Sequence, residues 1–531
     1  METTKRENWG SRIGFVLAVA GSAIGLGNIW KFPYITGLNG GGAFVVLYLI
    51  CILFCGVPLM LCELAIGRRA KANPEKAFEI LAAGRNNFCK GVSVLMMIGA
   101  VIAAYTTSPG LGMILLLLAI WLFRKGMAMI GAFSIFTALL ILSYYSVIGG
   151  WIIEYTVMAF SGNMDFTSVD QAGQVFGNFI GNAPRVVLWN YIFMAISSLM
   201  LVGGIKGGIE RWSKILMPAL FILLLVIVVR SLTLPGAEKG VAFLLRPDFS
   251  KLSAAGALEA LGHSFYTLSL GMAIGITYGS YLSEKENLFS ATFNVVLVDT
   301  MAALLAGLAI FPAVFAMGFA PEAGPSLIFK VLPVTFNTLP GGLGWLWGGI
   351  FFAMLTIAAL TSAASLLECG VTYLVDRWEM NRKAAILVLY IILTSLGYFS
   401  CVSISDWSKI EFLHNGLINC IGEAFIPGNW FDLLDKLTSN WLIPLIGLAE
   451  VIFVGWIWGT YEASHEIRIG AQGGCDRNIF IRLTGLYRDP LYENSVSGLS
   501  YMTLWAFMTR YCAPVVILLL FLKAIGVNIG F

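Results

Sequence analysis

Glycines, an asparagine and pairs of hydroxyl residues interrupt some of the most apolar stretches of this chain. The first interruption is Gly21-Ser22-Ala23-Ile24-Gly25-Leu26-Gly27-Asn28, in the middle of the stretch 11–35. Glycine weakens a helix, and inside a bilayer no water replaces the lost backbone hydrogen bonds. Such a break is tolerated where the freed N–H and C=O groups bind an ion or a polar ligand. For one Gly-x-Gly motif alone, close packing of two helices is the simpler explanation.

A second interruption of the same kind lies in the second half of the chain. Hydroxyls and a glycine occupy the middle of the apolar stretch 256–281, in Ser264-Phe265-Tyr266-Thr267-Leu268-Ser269-Leu270-Gly271-Met272. Two matched breaks, one in each half, are typical of inverted-repeat transporters whose binding site lies at the bilayer midplane. The pair Thr361-Ser362 lies in the middle of a third stretch. For such hydroxyls the ordinary explanation is a hydrogen bond to the preceding turn of the same helix.

One acid, Asp299, lies inside the apolar stretch 289–318. An ionisable residue at that depth is costly and is functional by default. The alternative is an acid that pairs within the helix bundle for structural reasons.

The composition indicates a membrane protein with many spans. Of the 531 residues, 58% are hydrophobic and 12% charged, and the mean hydropathy is +0.83. The net charge of +3 gives no reason to expect a nucleic-acid partner. The chain has no Gly-x-x-x-x-Gly-Lys-Ser/Thr loop and no pairing of a nucleophile with a base, so we expect neither an ATP-driven pump nor an enzyme, and no catalytic residues.

Apolar stretches of span length predict an all-α protein with about eleven transmembrane helices. The predicted spans are 11–35, 43–67, 128–160, 186–203, 210–232, 256–281, 289–318, 345–375, 384–401, 440–459 and 501–525. Lys and Arg residues cluster on one side of these spans, which predicts a cytoplasmic N-terminus in a multi-pass protein of the inner (plasma) membrane.

Residues 91–123 do not fit this series of spans. Two apolar runs, 91–105 and 111–123, flank Thr106-Thr107-Ser108-Pro109-Gly110. Each run covers only about 20 Å as a helix, whereas the hydrocarbon core is about 30 Å thick. Because basic residues lie on both sides of the pair, we expect a re-entrant or short helical hairpin; two short tilted spans are the alternative.

Motifs along nearly the whole chain resemble those of the neurotransmitter:sodium symporter family, in family order. They include Gly25-Leu26-Gly27-Asn28, Trp30-Lys31-Phe32-Pro33, Asn39-Gly40-Gly41-Gly42-Ala43-Phe44, Glu63-x-x-x-Gly67-Arg68, Ser143-Tyr144-Tyr145-Ser146-Val147, Lys206-Gly207-Gly208-Ile209-Glu210-Arg211, Thr267 to Gly271, Leu360-Thr361-Ser362 and Phe431-Asp432-Leu433-Leu434-Asp435. Residues 91–123 and 402–438 are poorly covered.

The resemblance, which is to the bacterial amino-acid branch, implies the leucine-transporter fold with broken helices 1 and 6. A single transporter domain would occupy 1–531. Its first five spans would form one repeat, 11–232, which includes the inserted hairpin. An inverted second repeat would occupy 256–459, and an additional span 501–527.

The resemblance also implies two sodium sites built mainly from neutral oxygens. The first would use the Ala23 carbonyl, the Asn28 amide oxygen, the Thr267 hydroxyl and the substrate carboxylate. The second would use the carbonyls of Gly21, Ile24 and Ala358 with the hydroxyls of Thr361 and Ser362. Asp299 falls beside the first site, where it would bind sodium, replace the chloride that animal relatives require, or both. We therefore expect no requirement for chloride.

By the same resemblance, the substrate is an α-amino acid. Its carboxylate would meet the N–H groups of Leu26 and Gly27 and the Tyr145 hydroxyl. Monoamine transporters of the family carry an acid at the position of Gly25, whereas glycine leaves room for a substrate carboxylate. The side-chain pocket would comprise Ala23, Ile141, Tyr266, Ser269, Met272, Ser362 and Leu366. This pocket is mostly apolar, which favours a neutral hydrophobic or aromatic amino acid.

Two ion pairs of the family pattern would act as gates. Lys31 with Asp435 would close the outer path, and Arg6 with Asp376 would close the inner path. His263 replaces the usual glutamine one turn before Thr267, where it either titrates or forms structural hydrogen bonds.

These residues together predict a symporter that imports a neutral amino acid with sodium by alternating access. The alternative is an amino-acid sensor or channel-like protein of the same fold without coupled transport. A homodimer in the lipid bilayer is compatible with the sequence, which does not determine the oligomeric state.

Overall fold

The computed structural model describes residues 7–83, 97, 125–318, 327–337, 342–405, 429–470 and 501–524. Within these ranges every regular element is a helix. Nine of the described helices are long and apolar enough to cross a membrane. They are Gly42–Ala70, Ala128–Phe160, Ala183–Leu201, Ile205–Leu232, Leu288–Ala316, Gly344–Trp378, Arg382–Ile404, Trp430–Arg468 and Met502–Leu522, which we call the second to fifth, seventh, eighth, ninth, tenth and eleventh spans.

The first span is broken at the predicted glycine-rich segment. Its halves, Arg12–Ala23 and Gly27–Leu38, meet at an angle of 50°. The first half begins where the Ser11 side chain accepts a hydrogen bond from the Gly14 N–H, and it ends where Ile24 leaves helical geometry at φ −77° and ψ 88°. The break therefore exposes backbone groups of 24–26 inside the bundle.

The sixth span is broken as well, into Ala254–Thr267 and Ile274–Ser280. Three residues between the halves have positive φ, Ser269 at 55°, Gly271 at 72° and Ala273 at 63°. A non-glycine residue in this left-handed region costs roughly 1–2 kcal/mol, so surrounding contacts must hold the break in place. The prediction of broken helices 1 and 6 is thus confirmed.

Several of the predicted spans were too short. The tenth span was expected at 440–459 but extends over Trp430–Arg468. The polar residues at its start hid the first turn, which forms because the Asn429 side chain caps the Asp432 N–H at 2.9 Å. The hairpin expected at 91–123 lies outside the described residues, apart from residue 97.

The broken spans lie at the centre of the bundle. The third and eighth spans pack against each other along their length, and the first half of the first span packs against the fifth, seventh and eighth. The second half of the sixth span packs against the second span. Both breaks are therefore enclosed by other helices, which is the setting in which irregular backbone is tolerated inside a membrane.

Candidate functional site

Both breaks open onto one enclosed space, which we call the central cavity. It is lined by Ser22, Ala23, Gly25, Leu26, Gly27, Ile141, Tyr145, Tyr266, Ser269, Met272, Ile274, Ser362 and Leu366. Every residue predicted to bind substrate is in this set. Ser22 and Ile274 were not predicted, although each adjoins one of the two interrupted segments.

Polar groups occupy the end of the central cavity at the break in the first span. The Tyr145 hydroxyl is buried and makes no hydrogen bond of good geometry with the described residues. A Cβ atom added to Gly25 would lie 3.2 Å from that hydroxyl and 2.5 Å from Ser362 Oγ. Glycine is therefore what leaves space between Tyr145 and the eighth span.

The rest of the cavity wall is mostly apolar, with Ile141, Met272, Ile274 and Leu366. The cavity encloses about 30 Å³, whereas ligand pockets commonly measure about 300–1,000 Å³. An amino acid would enter only if the walls moved apart. Met272 suits such movement, because its unbranched side chain adapts its shape.

Asp299 joins the first span to the sixth. It is fully buried. The Asn28 amide group donates to Asp299 Oδ1 at 2.8 Å, and the Thr267 hydroxyl donates to the same oxygen at 3.1 Å. No basic residue in the described ranges forms an ion pair with Asp299. The acid thus contacts two of the residues predicted for the first sodium site and places carboxyl oxygens beside them.

The residues predicted for the second sodium site also lie close together, between the first and eighth spans. The Ser362 hydroxyl donates to the Ser22 carbonyl at 3.0 Å and to the Gly21 carbonyl at 3.4 Å. The Thr361 hydroxyl donates to the Ala358 carbonyl at 3.0 Å. Ala23 and Ile24 lie at the end of the first half-helix, and both are buried.

These two clusters provide carbonyl, hydroxyl, amide and carboxylate oxygens inside a buried region. Such hard oxygen ligands suit cations that bind through oxygen rather than sulfur or imidazole. The residues present therefore fit the predicted sodium ions.

The predicted outer ion pair is not formed in this conformation. The Lys31 ammonium lies over the Tyr266 ring, 4.5 Å from its centroid. Asp435 instead accepts hydrogen bonds from the hydroxyls of Tyr144 at 3.2 Å and Ser439 at 3.0 Å. In this conformation each charge has an aromatic or hydroxyl partner, so the gating role of the pair stays a prediction.

Lys31 and His263 line a second cavity of about 190 Å³, together with Glu259 and Tyr266. The His263 ring packs against Phe32 and Tyr48, with centroids 5.9 and 5.4 Å apart. Neither ring nitrogen has a hydrogen-bond partner among the described residues. In this conformation His263 therefore makes aromatic contacts and no hydrogen bond with the described residues.

Arg6 lies outside the described residues, so the inner gate that it would form with Asp376 stays a prediction. Asp376 accepts a hydrogen bond from the Asn73 N–H at 2.9 Å. Trp9 packs edge-on against Tyr278, with centroids 5.2 Å apart, and its indole N–H donates to the Tyr278 carbonyl at 3.1 Å.

A further buried ion pair, between Arg382 and Glu368, was not predicted from the sequence. The Arg382 guanidinium donates to both carboxylate oxygens of Glu368, at 3.0 and 2.5 Å, and to the Leu201 carbonyl at 3.0 Å. The Tyr281 hydroxyl donates to Glu368 at 2.9 Å. Glu368 is fully buried. The sequence did contain a signal for Glu368, since an acid inside an apolar span is unusual.

Comparison with known proteins supports the resemblance seen in the motifs. The sequence profile described as the sodium:neurotransmitter symporter family matches residues 6–108 and 180–496. The sodium-dependent transporter YhdH of Bacillus subtilis (strain 168) is 34% identical over 527 residues, which cover 99% of both chains. A sodium-dependent transporter of Haemophilus influenzae is 33% identical over 530 residues, which cover 98% of both chains.

A solved structure shares the fold. The crystal structure of MhsT in complex with L-phenylalanine superposes with a TM-score of 0.76 and 36% sequence identity. The match covers 98% of this chain and 100% of that chain. The sodium-dependent serotonin transporter of Drosophila melanogaster is more distant, with 26% identity over 546 residues.

Proposed function

Because the chain belongs to the sodium:neurotransmitter symporter family, we propose that it imports a neutral, hydrophobic or aromatic α-amino acid together with sodium. That it is a multi-pass, sodium-dependent membrane transporter follows from the family and from its long apolar helices. The family consists of transporters rather than enzymes. The amino-acid substrate is the proposal, and the central cavity is the observation that carries it.

The substrate carboxylate would lie at the polar end of the central cavity. There Gly25 has no side chain, and the buried Tyr145 hydroxyl is free to donate a hydrogen bond to the carboxylate. The N–H groups of Leu26 and Gly27 begin the second half of the first span, where the helix dipole favours a negative charge. An amine without a carboxylate would leave these donors unsatisfied.

The substrate side chain would face the apolar wall formed by Ile141, Met272, Ile274 and Leu366. A charged or strongly polar side chain would lose its hydration there without gaining partners. The complex of MhsT with L-phenylalanine shows a similar chain with an aromatic amino acid bound. Both observations favour an apolar side chain.

We propose two sodium ions, one for each oxygen cluster. When bound, sodium would supply positive charge that neutralises the substrate carboxylate and holds the breaks in spans one and six together. Asn28, Thr267 and the Ala23 carbonyl would hold the first ion, with Asp299 beside them. Gly21, Ile24, Ala358, Thr361 and Ser362 would hold the second.

Asp299 is the reason to propose chloride-independent transport. The buried carboxylate already brings one negative charge to Asn28 and Thr267 at 2.8 and 3.1 Å. With this negative charge supplied by the protein itself, no chloride ion would be needed to balance the bound sodium. Replacing chloride with gluconate should therefore leave the uptake rate within about twofold, whereas a loss of more than tenfold (about 1.4 kcal/mol) would contradict this assignment.

The experiment that tests the proposed function is uptake by the purified full-length protein in proteoliposomes. Each of the twenty amino acids is tested with an inward sodium gradient, with equal sodium on both sides, and with potassium in place of sodium. We expect concentrative uptake of one or more apolar amino acids, only with the gradient. Sodium-dependent binding without accumulation would instead identify an amino-acid sensor, and downhill flux alone would identify a channel-like protein.

We also propose that the protein lies in the inner (plasma) membrane with its N-terminus in the cytoplasm, as the positions of Lys and Arg indicate. Lys31 and Asp435 would then lie on the outer side of the central cavity, and Arg6 and Asp376 on the inner side. In the present conformation Lys31 would have to leave Tyr266 before it could reach Asp435. The outer pair would therefore form and break within the transport cycle.

A further inference from the structure

An arginine of the eleventh span lies against the tenth span, far from the central cavity. Arg510 belongs to the apolar helix Met502–Leu522, and its side chain is partly exposed. In the described ranges no acid forms an ion pair with it. Its Nε atom is buried and has no hydrogen-bond partner among these residues. A charged side chain in an apolar span is costly and is functional by default.

Trp456 of the tenth span holds the Arg510 guanidinium in place. The Cζ atom of Arg510 lies 4.3 Å from the centroid of the Trp456 ring, which is a cation–π contact. The Trp456 indole N–H donates to the Arg510 carbonyl at 3.2 Å and so fixes the ring beside the guanidinium. Gly455 permits this approach, because a Cβ there would lie 3.2 Å from Arg510 Cα. The ring attracts the positive charge, but it supplies no oxygen acceptor for the guanidinium N–H groups.

The neighbours of Arg510 place it near one surface of the bilayer rather than at its midplane. The start of the eleventh span, Tyr501–Phe507, packs against Thr460–Arg468 at the end of the tenth. Glu462 in that end is exposed, so this part of the tenth span lies in water or among lipid headgroups. Trp456 precedes Glu462 by six residues, which is about 9 Å along a helix. This end of the tenth span is cytoplasmic in the topology proposed above.

The surface around Arg510 is aromatic and exposed on the outside of the bundle. The rings of Trp456, Tyr511 and Phe507 are all exposed. Tyr511 lies edge-on to Trp456, with centroids 5.8 Å apart, and its centroid is 5.6 Å from that of Phe507. Trp and Tyr are enriched where a membrane protein meets the headgroups. An anion that reaches Arg510 would therefore come from the headgroup layer.

Phospholipid phosphate is the anion that fits this position. The guanidinium presents N–H groups in a planar fork that matches two phosphate oxygens. Basic pockets between spans on the cytoplasmic side bind acidic headgroups, because the lipids of that leaflet carry negative charge. The exposed rings beside Arg510 would contact the glycerol and the first methylenes of the acyl chains.

We propose that Arg510, Trp456 and Tyr511 form a binding site for the phosphate of an acidic phospholipid in the inner leaflet. Arg510 supplies the charge and the hydrogen bonds, and the two rings supply the apolar contact. The bound lipid joins the tenth span to the eleventh. The site uses neither substrate nor sodium, so it stands apart from the proposed function.

Native mass spectrometry of the purified full-length protein tests this site. The protein is titrated with phosphatidylglycerol and, separately, with phosphatidylcholine of the same acyl chains. Arg510→Gln should weaken the tightest phosphatidylglycerol binding by at least about fivefold, or about 1 kcal/mol. Binding of phosphatidylcholine, which has no net charge, should change by less than about twofold, or about 0.4 kcal/mol.

Arg185→Gln is the matched control. Arg185 also lies over an aromatic ring, with its Cζ atom 5.8 Å from the centroid of Phe179, but its charge is paired with Glu154 of the protein itself. Its replacement should leave the affinity for both lipids within about twofold, or about 0.4 kcal/mol. Size-exclusion chromatography and thermal unfolding check that each variant is folded.

Arg510→Lys is the second variant in case Arg510→Gln does not fold. Lysine keeps the charge but lacks the fork, so phosphatidylglycerol binding should still be weaker than in the wild type. Wild-type affinity for phosphatidylglycerol in both variants of Arg510, or an equal loss in Arg185→Gln, would overturn the proposal. So would displacement of the lipid by inorganic phosphate, which would indicate a site for free anions. A dimer that only Arg510→Gln dissociates, with lipid binding intact, would overturn it in favour of an acid from a second copy of the chain.

Discussion

Three residues, Gly25, Asp299 and Thr361, connect the chemistry of the cavity to single positions in the chain. Gly25 leaves space where any other residue would contact Tyr145 and Ser362. Asp299 accepts hydrogen bonds from Asn28 and Thr267. Thr361 lies beside the Ala358 carbonyl on the face of the eighth span that contacts Gly21. A substitution at each of these positions would therefore change a known contact of the cavity or of a proposed sodium site.

Gly25→Ala should weaken substrate binding. The added Cβ would lie 2.5 Å from Ser362 Oγ, in the space that the substrate carboxylate is proposed to use. Overpacking of this kind costs about 1–3 kcal/mol, which corresponds to an affinity loss of about 5- to 150-fold. The measurement is equilibrium binding of the transported amino acid. The control is Gly262→Ala, whose Cβ would meet only Leu520 at 3.8 Å; equal loss in both variants would contradict the assignment of the carboxylate site.

Thr361→Val should abolish the stimulation of substrate binding by sodium. Valine keeps the shape of threonine but removes the oxygen that we assign to the second ion. Substrate binding is measured over a range of sodium concentrations. Thr394→Val is the control, because among the described residues the Thr394 hydroxyl bonds only to Tyr390 and Ile391 of its own helix. A sodium dependence that is unchanged in Thr361→Val would refute the second site as assigned.

At the scale of elements, the break in the sixth span depends on close contact with the second span. The second half-helix, Ile274–Ser280, is too short to be stable alone. It lies against Val57–Ala70, whose Glu63 binds the N–H groups of Gly271 and Gly275. The contact is tight because Gly67 has no side chain: a Cβ there would lie 2.0 Å from the Ile276 carbonyl oxygen.

Gly67→Ala should therefore separate the two helices and destabilise the protein. Backbone atoms cannot move away as a flexible side chain can, so we expect a cost of at least about 1–3 kcal/mol. Thermal unfolding in detergent, at a fixed scan rate, measures the effect as a lower midpoint. Gly177→Ala is the control, since no neighbouring atom of the described residues lies within 4 Å of its Cβ position. A helical glycine with free space gains about 0.5–1 kcal/mol on replacement by alanine, so a lower midpoint in both variants would argue against the close contact as the cause.

At the scale of the whole molecule, alternating access requires that each end of the bundle be closed by contacts that can break. The outer end has Lys31 over Tyr266, with Asp435 bound to Tyr144 and Ser439. The inner end has Glu368 at the meeting point of four spans, where it joins Arg382 and Tyr281. Removing one partner of a buried ion pair leaves the other charge uncompensated, at a cost of about 3–5 kcal/mol.

Glu368→Ala should therefore open the inner end of the bundle. The neighbouring Cys369 is fully buried, so opening should raise its rate of reaction with a hydrophilic thiol reagent by at least about tenfold, a change of about 1.4 kcal/mol. Peptide mass spectrometry measures the modification at Cys369 itself. Glu154→Ala is the control, because it removes a buried acid that pairs with Arg185 at a different site. An equal increase in both variants would indicate general loosening rather than opening of the inner end.

Much of the fold and of the central cavity could be predicted from the sequence. Apolar length defines a membrane span, and helix-weakening residues define a break, so both are local properties of the chain. The breaks at Gly21 to Asn28 and Thr267 to Gly271 were therefore visible without a structure. The residues predicted around the substrate line one cavity, since the motifs that carry the family resemblance are the segments that form it.

The pairing of charges was decided only by the tertiary structure. Lys31 lies over Tyr266 rather than against Asp435. Glu368 binds Arg382. The physical reason is that a buried charge interacts with whichever group the packing of separate helices places nearest, and polar interactions fall off over a few ångströms. Sequence patterns identify residues that need a partner inside a membrane, whereas packing of the spans selects the partner.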